Sequence, residues 1–176
     1  MNTTNGLEAL TVLLGLPEFE VVAINAEPKQ AKLSLVLVPR AATGLCPHCG
    51  VLCDKRHASH ERHILDLPIS GCFTELTVCC DQFECWQCHR FFTPQYQSIA
   101  EGTHATERFL ERMAQMICFS DIANTARFFG VAEKTLEAWY YQHLERKTQT
   151  LASLPIRSMG IDELSLKKNT GSFAAC

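Results

Sequence analysis

The sequence predicts an α+β protein built from more than one domain, and three observations along the chain lead to that prediction. Stretches near the start alternate apolar and polar side chains, as half-buried strands do. Two Cys-x-x-Cys pairs follow in the middle of the chain, and the apolar side chains after residue 103 recur at helical spacing. We therefore expect a helix and β-hairpin over residues 1–45, a metal-binding β domain over 46–98 and a helical domain over 99–150.

The first segment has the pattern of a helix followed by two paired strands. Residues 6–15, GLEALTVLLG, carry apolar side chains at helix-like spacing. The stretches EVVAIN and AKLSLVLVP then alternate apolar and polar residues, and AEPKQ between them supplies a turn. A further strand is predicted within the second segment over residues 72–80, CFTELTVCC.

Composition limits the class of protein. Of the 176 residues 47% are hydrophobic, yet no apolar run approaches the roughly 18 residues of a membrane span. The N-terminus also lacks the positively charged flank of a signal peptide, so we expect a cytoplasmic protein without a membrane partner. The formal charge of -3 argues against a strongly basic nucleic-acid binder. Any contact with DNA must then depend on where individual charges lie.

The ten cysteines indicate a metal site. In a reducing compartment, cysteines grouped at metal-ligand spacing favour zinc over disulfides. The motifs CPHCG (46–50) and CWQC (85–88) are separated by 35 residues, which suits one tetrahedral four-thiolate site. The predicted ligands of a structural zinc ion are Cys46, Cys49, Cys85 and Cys88.

Other readings of this region remain open. Cys53 or a histidine can replace one of the four ligands, and the stretch RHASHERH supplies three histidines beside two more next to the cysteine pairs. A redox Cys-x-x-Cys is a further alternative, although it would not require a second pair. Because four thiolates leave no open coordination position, we expect the metal to hold the fold and not to perform chemistry.

The helical segment contains a pattern typical of the helix-turn-helix that reads DNA. We predict a helix over Ile122–Phe129, a turn at Gly130 and a second helix from about Ala132. An ordinary helical hairpin is the alternative. The residues of the second helix placed to meet a major groove are Glu133, Lys134, Glu137, Ala138 and Tyr141. Since two of these are acidic, base or shape contacts would carry more of the binding than phosphate attraction.

The order of these parts resembles the ISL-three family of insertion-sequence transposases, which carry a zinc-binding domain, a helix-turn-helix and an RNase H-like catalytic domain. The resemblance spans roughly residues 40–170. Its landmarks are CPHCG (46–50), LDLPISG (65–71), FECWQC (83–88), the helix pair through Gly130 and MGIDELSLKK (159–168).

The resemblance implies a catalytic role for Asp162. In that family the acid of this strand is the first of three carboxylates that hold two divalent ions, Mg²⁺ or Mn²⁺, for DNA cleavage and strand transfer. Residues 151–176 would then comprise a linker and the start of a truncated RNase H-like domain. The fourteen residues after Asp162 contain no acid beyond Glu163, so we expect this chain alone to be inactive.

The resemblance therefore implies the DNA-binding part of a transposase, which recognises the terminal inverted repeats of its own insertion sequence in double-stranded DNA. A second copy of the chain or the full-length transposase would be its protein partner. Two alternatives remain: a non-enzymatic, truncated regulator that inhibits transposition, and a zinc-ribbon interaction module without a role on DNA.

Overall fold

Four helices, a mixed five-stranded sheet and a two-stranded sheet make up the part of the chain that a computed structural model describes, residues 3–151, with side chains described for 6–149. This confirms the predicted α+β class. The helices are α1 (Thr3–Leu14), α2 (Glu107–Phe119), α3 (Ile122–Phe129) and α4 (Glu133–Leu151). The strands are β1 (Phe19–Glu27), β2 (Lys32–Pro39), β3 (Gly44–Leu45), β4 (Leu52–Cys53), β5 (Arg56–Ile69), β6 (Cys72–Glu84) and β7 (Phe91–Phe92).

The N-terminal helix and hairpin lie where the sequence predicts them. Strands β1 and β2 pair antiparallel from Phe19 opposite Pro39 to Glu27 opposite Lys32, with an irregularity in register between Val21 and Ala23. A 3-10 turn at Pro28–Gln30 connects them. The alternation of apolar and polar residues was sufficient to predict these two strands, because each strand buries only one face.

The main sheet has the strand order β1-β2-β6-β5, and β7 pairs with the end of β6. Strands β5 and β6 form a long antiparallel hairpin, whereas β2 and β6 run parallel from Lys32 opposite Phe73 to Leu37 opposite Val78. The predicted boundary between residues 45 and 46 therefore does not separate two sheets, because β2 of the first segment pairs with β6 of the second. Strand β5 was not predicted, since its first half is charged and polar and shows no alternation.

Two apolar clusters hold the elements together. The first lies on one face of the sheet and joins α1 to β1, β2, β5 and β6; its fully buried members are Leu35, Leu37, Ile64, Leu76, Val78 and Cys80. The second joins the helices, and its buried members are Ala100, Ala105, Phe109, Leu110, Met113, Ala126, Phe129 and Leu136. The partly buried Leu65 and Leu67 of β5 pack against this second cluster and so connect the sheet to the helices.

A buried ion pair ties β5 to α2. The Asp66 side chain is fully buried and accepts hydrogen bonds from Thr106 Oγ1 at 2.7 Å and from Arg108 Nε at 2.8 Å, and Arg108 Nη2 donates to its second oxygen. Arg108 Nη1 also donates to the backbone oxygen of Leu14 at 2.5 Å, at the end of α1. Thr106 in turn caps α2 by accepting from the N–H of Phe109. The pair of Asp66 and Arg108 thus connects β5, α2 and the end of α1.

The chain divides into a unit over residues 1–143 and a second over 144–176. The first unit contains the sheet and the helices up to most of α4. The described part of the second is the end of α4. Leu151, the first residue of the predicted linker, is the last residue of α4. The rest of the linker, the predicted first strand of a catalytic domain and Asp162 lie outside the described residues. None of the described helices is both long and apolar enough to cross a membrane.

Candidate functional site

The four predicted cysteines come together in one cluster, although they are far apart in sequence. The Sγ atoms of Cys46, Cys49, Cys85 and Cys88 all lie within 4.8 Å of one another. Two of the separations are 3.6 Å (Cys46 to Cys88) and 3.5 Å (Cys49 to Cys85). Tetrahedral coordination at about 2.3 Å requires sulfurs roughly 3.8 Å apart, whereas a disulfide requires about 2.05 Å. The geometry fits a bound metal ion and not two disulfides.

Each cysteine pair stands on a small turn that is held by backbone hydrogen bonds. In the first, the N–H of Gly50 donates to Cys46 O at 2.8 Å; in the second, the N–H of His89 donates to Cys85 O at 2.9 Å. Both Gly50 (φ 73°) and His89 (φ 54°) have positive φ, so the two turns are built alike. Glycine adopts positive φ freely, but only the first turn has a glycine at this position. The flanking strand pairs, β3 with β4 and β6 with β7, fix the turns opposite each other.

Two thiols of the cluster have pKa values that are shifted in opposite directions. Chiefly because the N–H of Cys88 donates to its sulfur, the pKa of Cys85 is lowered to about 6, which outweighs the effect of burial. The N–H of Val51 favours the thiolate of Cys49, but burial and the three neighbouring thiols raise its pKa to about 12. A divalent cation bound at this cluster would favour the thiolate form of its ligands.

The alternative ligands are not part of the cluster. Within the described residues, the four cysteines form the one group of three or more candidate ligands whose donor atoms converge. Cys53 is buried next to them but directs its thiol to the backbone oxygen of Val51 at 3.5 Å. His48 contacts Arg90, and His57 packs against Phe91 with ring centroids 4.3 Å apart.

The surface around the cluster is apolar on one side. Leu45 and Leu52 are opposite each other on β3 and β4 and are 64% and 58% exposed. Trp86 is 63% exposed, and its indole N–H donates to Leu52 O at 3.4 Å. Beneath them Phe83 and Phe92 stack in a small buried core. Strands β3 and β4, the end of β6 and this core lie beside the four cysteines, and most residues of the two turns are exposed.

The structure confirms the two predicted helices and the turn between them. Helix α3 occupies Ile122–Phe129 and begins with Asp121, whose carboxylate accepts from the N–H of Asn124 at 2.7 Å. It ends at Gly130, which has φ 65° and donates to carbonyls of the last turn of α3. The side chain of Phe73 lies against Gly130, 3.2 Å from where a Cβ would stand. Helix α4 then begins at Glu133, so the turn is tight.

One side of α4 packs on α2 and α3, and the other side is open. Leu136 is fully buried, and Trp139 packs edge-on against Phe109 with ring centroids 6.3 Å apart. All five residues predicted to meet DNA are exposed, and Tyr141 keeps 53% of its surface. They are Glu133, Lys134, Glu137, Ala138 and Tyr141.

Sequence reasoning did not assign a role to several groups at these sites. Asn124 and Arg127 are exposed on α3 and hydrogen bond to each other at 2.5 Å. Trp86 lies between Cys85 and Cys88 and is 63% exposed, and an exposed tryptophan at such a turn is a signal that the sequence also contains. The link between Asp66 and Arg108 had one sequence signal, an acid between two leucines of a strand-like stretch.

Comparisons of this chain with protein-family models, with curated proteins and with solved structures find no match.

Proposed function

We propose that this chain is the DNA-binding part of a transposase, with a zinc-stabilised module and a helix pair that reads the terminal inverted repeats of an insertion sequence. The observation that supports it best is the open side of α4, which follows a tight turn and exposes all five predicted contact residues. In a helix-turn-helix the second helix enters the major groove with its first turns. The side chains of Glu133 to Tyr141 occupy those turns.

In this proposal the metal is zinc and its role is structural. Four thiolates are the donor set typical of structural zinc, and they leave no position for a substrate. Cys46 and Cys85 are almost fully buried, which restricts access from solvent on that side. The ion would hold the two turns together and contribute directly to the free energy of folding.

The charges on the helix pair predict how DNA is read. Lys134 on α4 and Arg127 on α3 are exposed cations that can approach phosphates. Glu133 and Glu137 repel phosphates but can accept a hydrogen bond from cytosine N4. Tyr141 can pack against sugar or base edges. We therefore expect sequence-specific binding with a modest dependence on salt.

Binding to a duplex that carries the inverted repeats flanking the coding sequence tests the proposal. Fluorescence anisotropy would compare this duplex with a scrambled one, for the wild-type chain and for Lys134→Ala and Tyr141→Ala. The matched control is Lys29→Ala, which removes the same charge from an exposed turn of the sheet. Lys134→Ala should reduce the slope of log K against log salt by about 1, because one phosphate contact is lost. Equal losses in Lys134→Ala and Lys29→Ala would contradict the assignment to α4.

Transposition itself rests on the resemblance around Asp162. We propose that Asp162 supplies one carboxylate ligand to Mg²⁺ or Mn²⁺ in strand transfer. A two-metal site needs several carboxylates on rigid elements, so these 176 residues should bind DNA without cutting it. A nicking assay with either ion would test this on the wild-type chain and on Asp162→Asn. Metal-dependent cleavage that the substitution abolishes would overturn the expectation that these 176 residues cannot cut DNA, although it would support the role of Asp162.

A further inference from the structure

Phe73 of β6 places its ring against the turn between α3 and α4. The side chain is 43% exposed and is a member of neither apolar cluster. Three of its ring atoms lie 3.2, 3.3 and 3.5 Å from the point at which a Cβ of Gly130 would stand, and they are the nearest atoms to that point outside the turn. The ring therefore supports the turn from the side of the sheet without belonging to the core.

The backbone of Phe73 is fixed by the strands on both sides of β6. Its N–H donates to Ala31 O at 2.7 Å, where the parallel pairing of β2 with β6 begins. The next residue, Thr74, is buried, and its Oγ1 accepts from the N–H of Ile69 on β5 at 3.2 Å. The ring thus reaches the turn from a rigid position.

A second contact supports α4 further along the helix. Gln142 Nε2 donates to Glu101 O at 3.2 Å. The same nitrogen is 2.6 Å from the point at which a Cβ of Gly102 would stand, so the amide fills the space beside this glycine. Arg62 Nη2 of β5 donates to Thr103 O at 3.4 Å. The loop that contacts Gln142 is therefore itself attached to the sheet.

The two supports lie on either side of the exposed stretch of α4. The residues predicted to contact DNA fall within 133–141, between Gly130 and Gln142. At the centre of this stretch the helix is held by apolar packing around the buried Leu136. A helix held only at its centre can rock, and a rotation of about 10° about Leu136 would move Tyr141, about 7.5 Å away along the axis, by about 1.3 Å. Binding residues must be held within about 0.5 Å, so supports at both ends are needed.

We propose that Phe73 and Gln142 are positioning residues for DNA recognition, which hold both ends of residues 133–141 on the sheet and so determine how well α4 distinguishes the inverted repeat from other sequences. This inference rests on the proposed function, because it concerns the same helix. Neither residue is a predicted DNA contact, and neither carries a charge. Removing either side chain should therefore weaken base readout and leave the attraction to phosphates unchanged.

Fluorescence anisotropy with the inverted-repeat duplex and the scrambled duplex tests the proposal on the full chain. The specificity ratio is the affinity for the first duplex divided by the affinity for the second. It should fall at least about tenfold in Phe73→Ala and in Gln142→Ala, because the loss of one good base contact changes the affinity by about this factor. Phe73→Leu keeps an apolar side chain at the turn and should restore most of the ratio. A purely structural loss would lower both affinities and leave their ratio unchanged.

The matched control is Phe91→Ala. Phe91 is a phenylalanine of similar exposure, 50%, and it lies on β7 at the other end of β6, opposite Glu84. Its removal should leave the specificity ratio unchanged. Circular dichroism checks that each variant folds, and Gln142→Ala keeps the test valid if Phe73→Ala does not fold.

Amide hydrogen exchange without DNA gives an independent measurement. The N–H of Val131 donates to Ala126 O at 3.0 Å across the turn, and the N–H of Leu136 donates within the first turn of α4. Relative to the amide of Val78, which reports on the stability of the sheet, both should exchange faster in Phe73→Ala.

An unchanged specificity ratio in both Phe73→Ala and Gln142→Ala would overturn the proposal, and so would an equal fall in Phe91→Ala. A wild-type chain that does not distinguish the two duplexes would instead contradict the proposed function. Hydrogen exchange then decides the present inference by itself, because unchanged exchange at Val131 and Leu136 in Phe73→Ala would show that the ring does not hold α4.

Discussion

Replacing Asp66 by alanine should destabilise this protein more than removing any exposed acid, because Asp66 is a fully buried carboxylate with three hydrogen bonds. Breaking a buried ion pair by removing one partner costs about 3–5 kcal/mol, since it leaves an uncompensated charge. Arg108 keeps 34% of its side chain exposed and retains its bond to Leu14 O, so it can be partly rehydrated. We therefore expect a loss near the lower limit, about 3 kcal/mol. That is a large part of a typical stability of 5–15 kcal/mol.

Urea unfolding at constant zinc concentration, followed by circular dichroism, measures this loss. The control is Glu20→Gln, which breaks an ion pair of 3.6 Å with Arg40 in which the two side chains are 54% and 47% exposed. Exposed pairs contribute about 0–1 kcal/mol and are screened by salt. The loss from Asp66→Ala should persist at about 1 M NaCl, where the Debye length falls to about 3 Å, while the smaller effect of Glu20→Gln disappears.

A double-mutant cycle separates the ion pair from the other roles of Asp66. Combining Asp66→Ala with Arg108→Met removes both charges, so the pair of substitutions should cost less than the sum of the two single ones. If Asp66→Ala costs less than about 1 kcal/mol, or if the two substitutions simply add, then Asp66 is not the centre of a coupled network and the reasoning is refuted.

Three further predictions concern other parts of the molecule. Cys85→Ser should lower the zinc content, measured by elemental analysis, from about one ion per chain and unfold the two cysteine turns together with the β3–β4 pair, whereas Cys79→Ser should leave both unchanged because Cys79 is not in the cluster. A folded wild-type chain without zinc would contradict this. Gly130→Ala should lower the unfolding free energy by about 1–2 kcal/mol, because φ is 65° and the new Cβ would stand 3.2 Å from the Phe73 ring; an unchanged urea midpoint would exclude it. The pKa of Glu75 is lowered, first by its hydrogen bond from Lys32. The stabilising contribution of Glu75 is therefore present above the ordinary carboxyl pKa and is lost as pH falls through the lowered value. Glu75→Gln should flatten the curve of unfolding free energy against pH in that acidic range, and parallel curves for both proteins would count against it.

Local pattern was enough to predict the elements whose signals lie within a few residues. The helix α3 and the turn at Gly130 follow from conformational preferences that act over one or two turns. The hairpin β1–β2 follows from alternation on either side of a short turn. The four cysteines were selected by spacing alone, since two residues between ligands let both sulfurs reach one ion.

Only the tertiary structure decided which distant segments meet. Seven of the first eight residues of β5 are polar or charged, so its strand conformation depends on the hydrogen bonds it makes with β6 and not on its own composition. The parallel pairing of β2 with β6 and the bond between Asp66 and Arg108 join residues far apart in the chain, and the same structure leaves the alternative ligand Cys53 outside the cysteine cluster. Such contacts form because burial and hydrogen bonding stabilise several elements at the same time. The sequence of any one element does not contain that information.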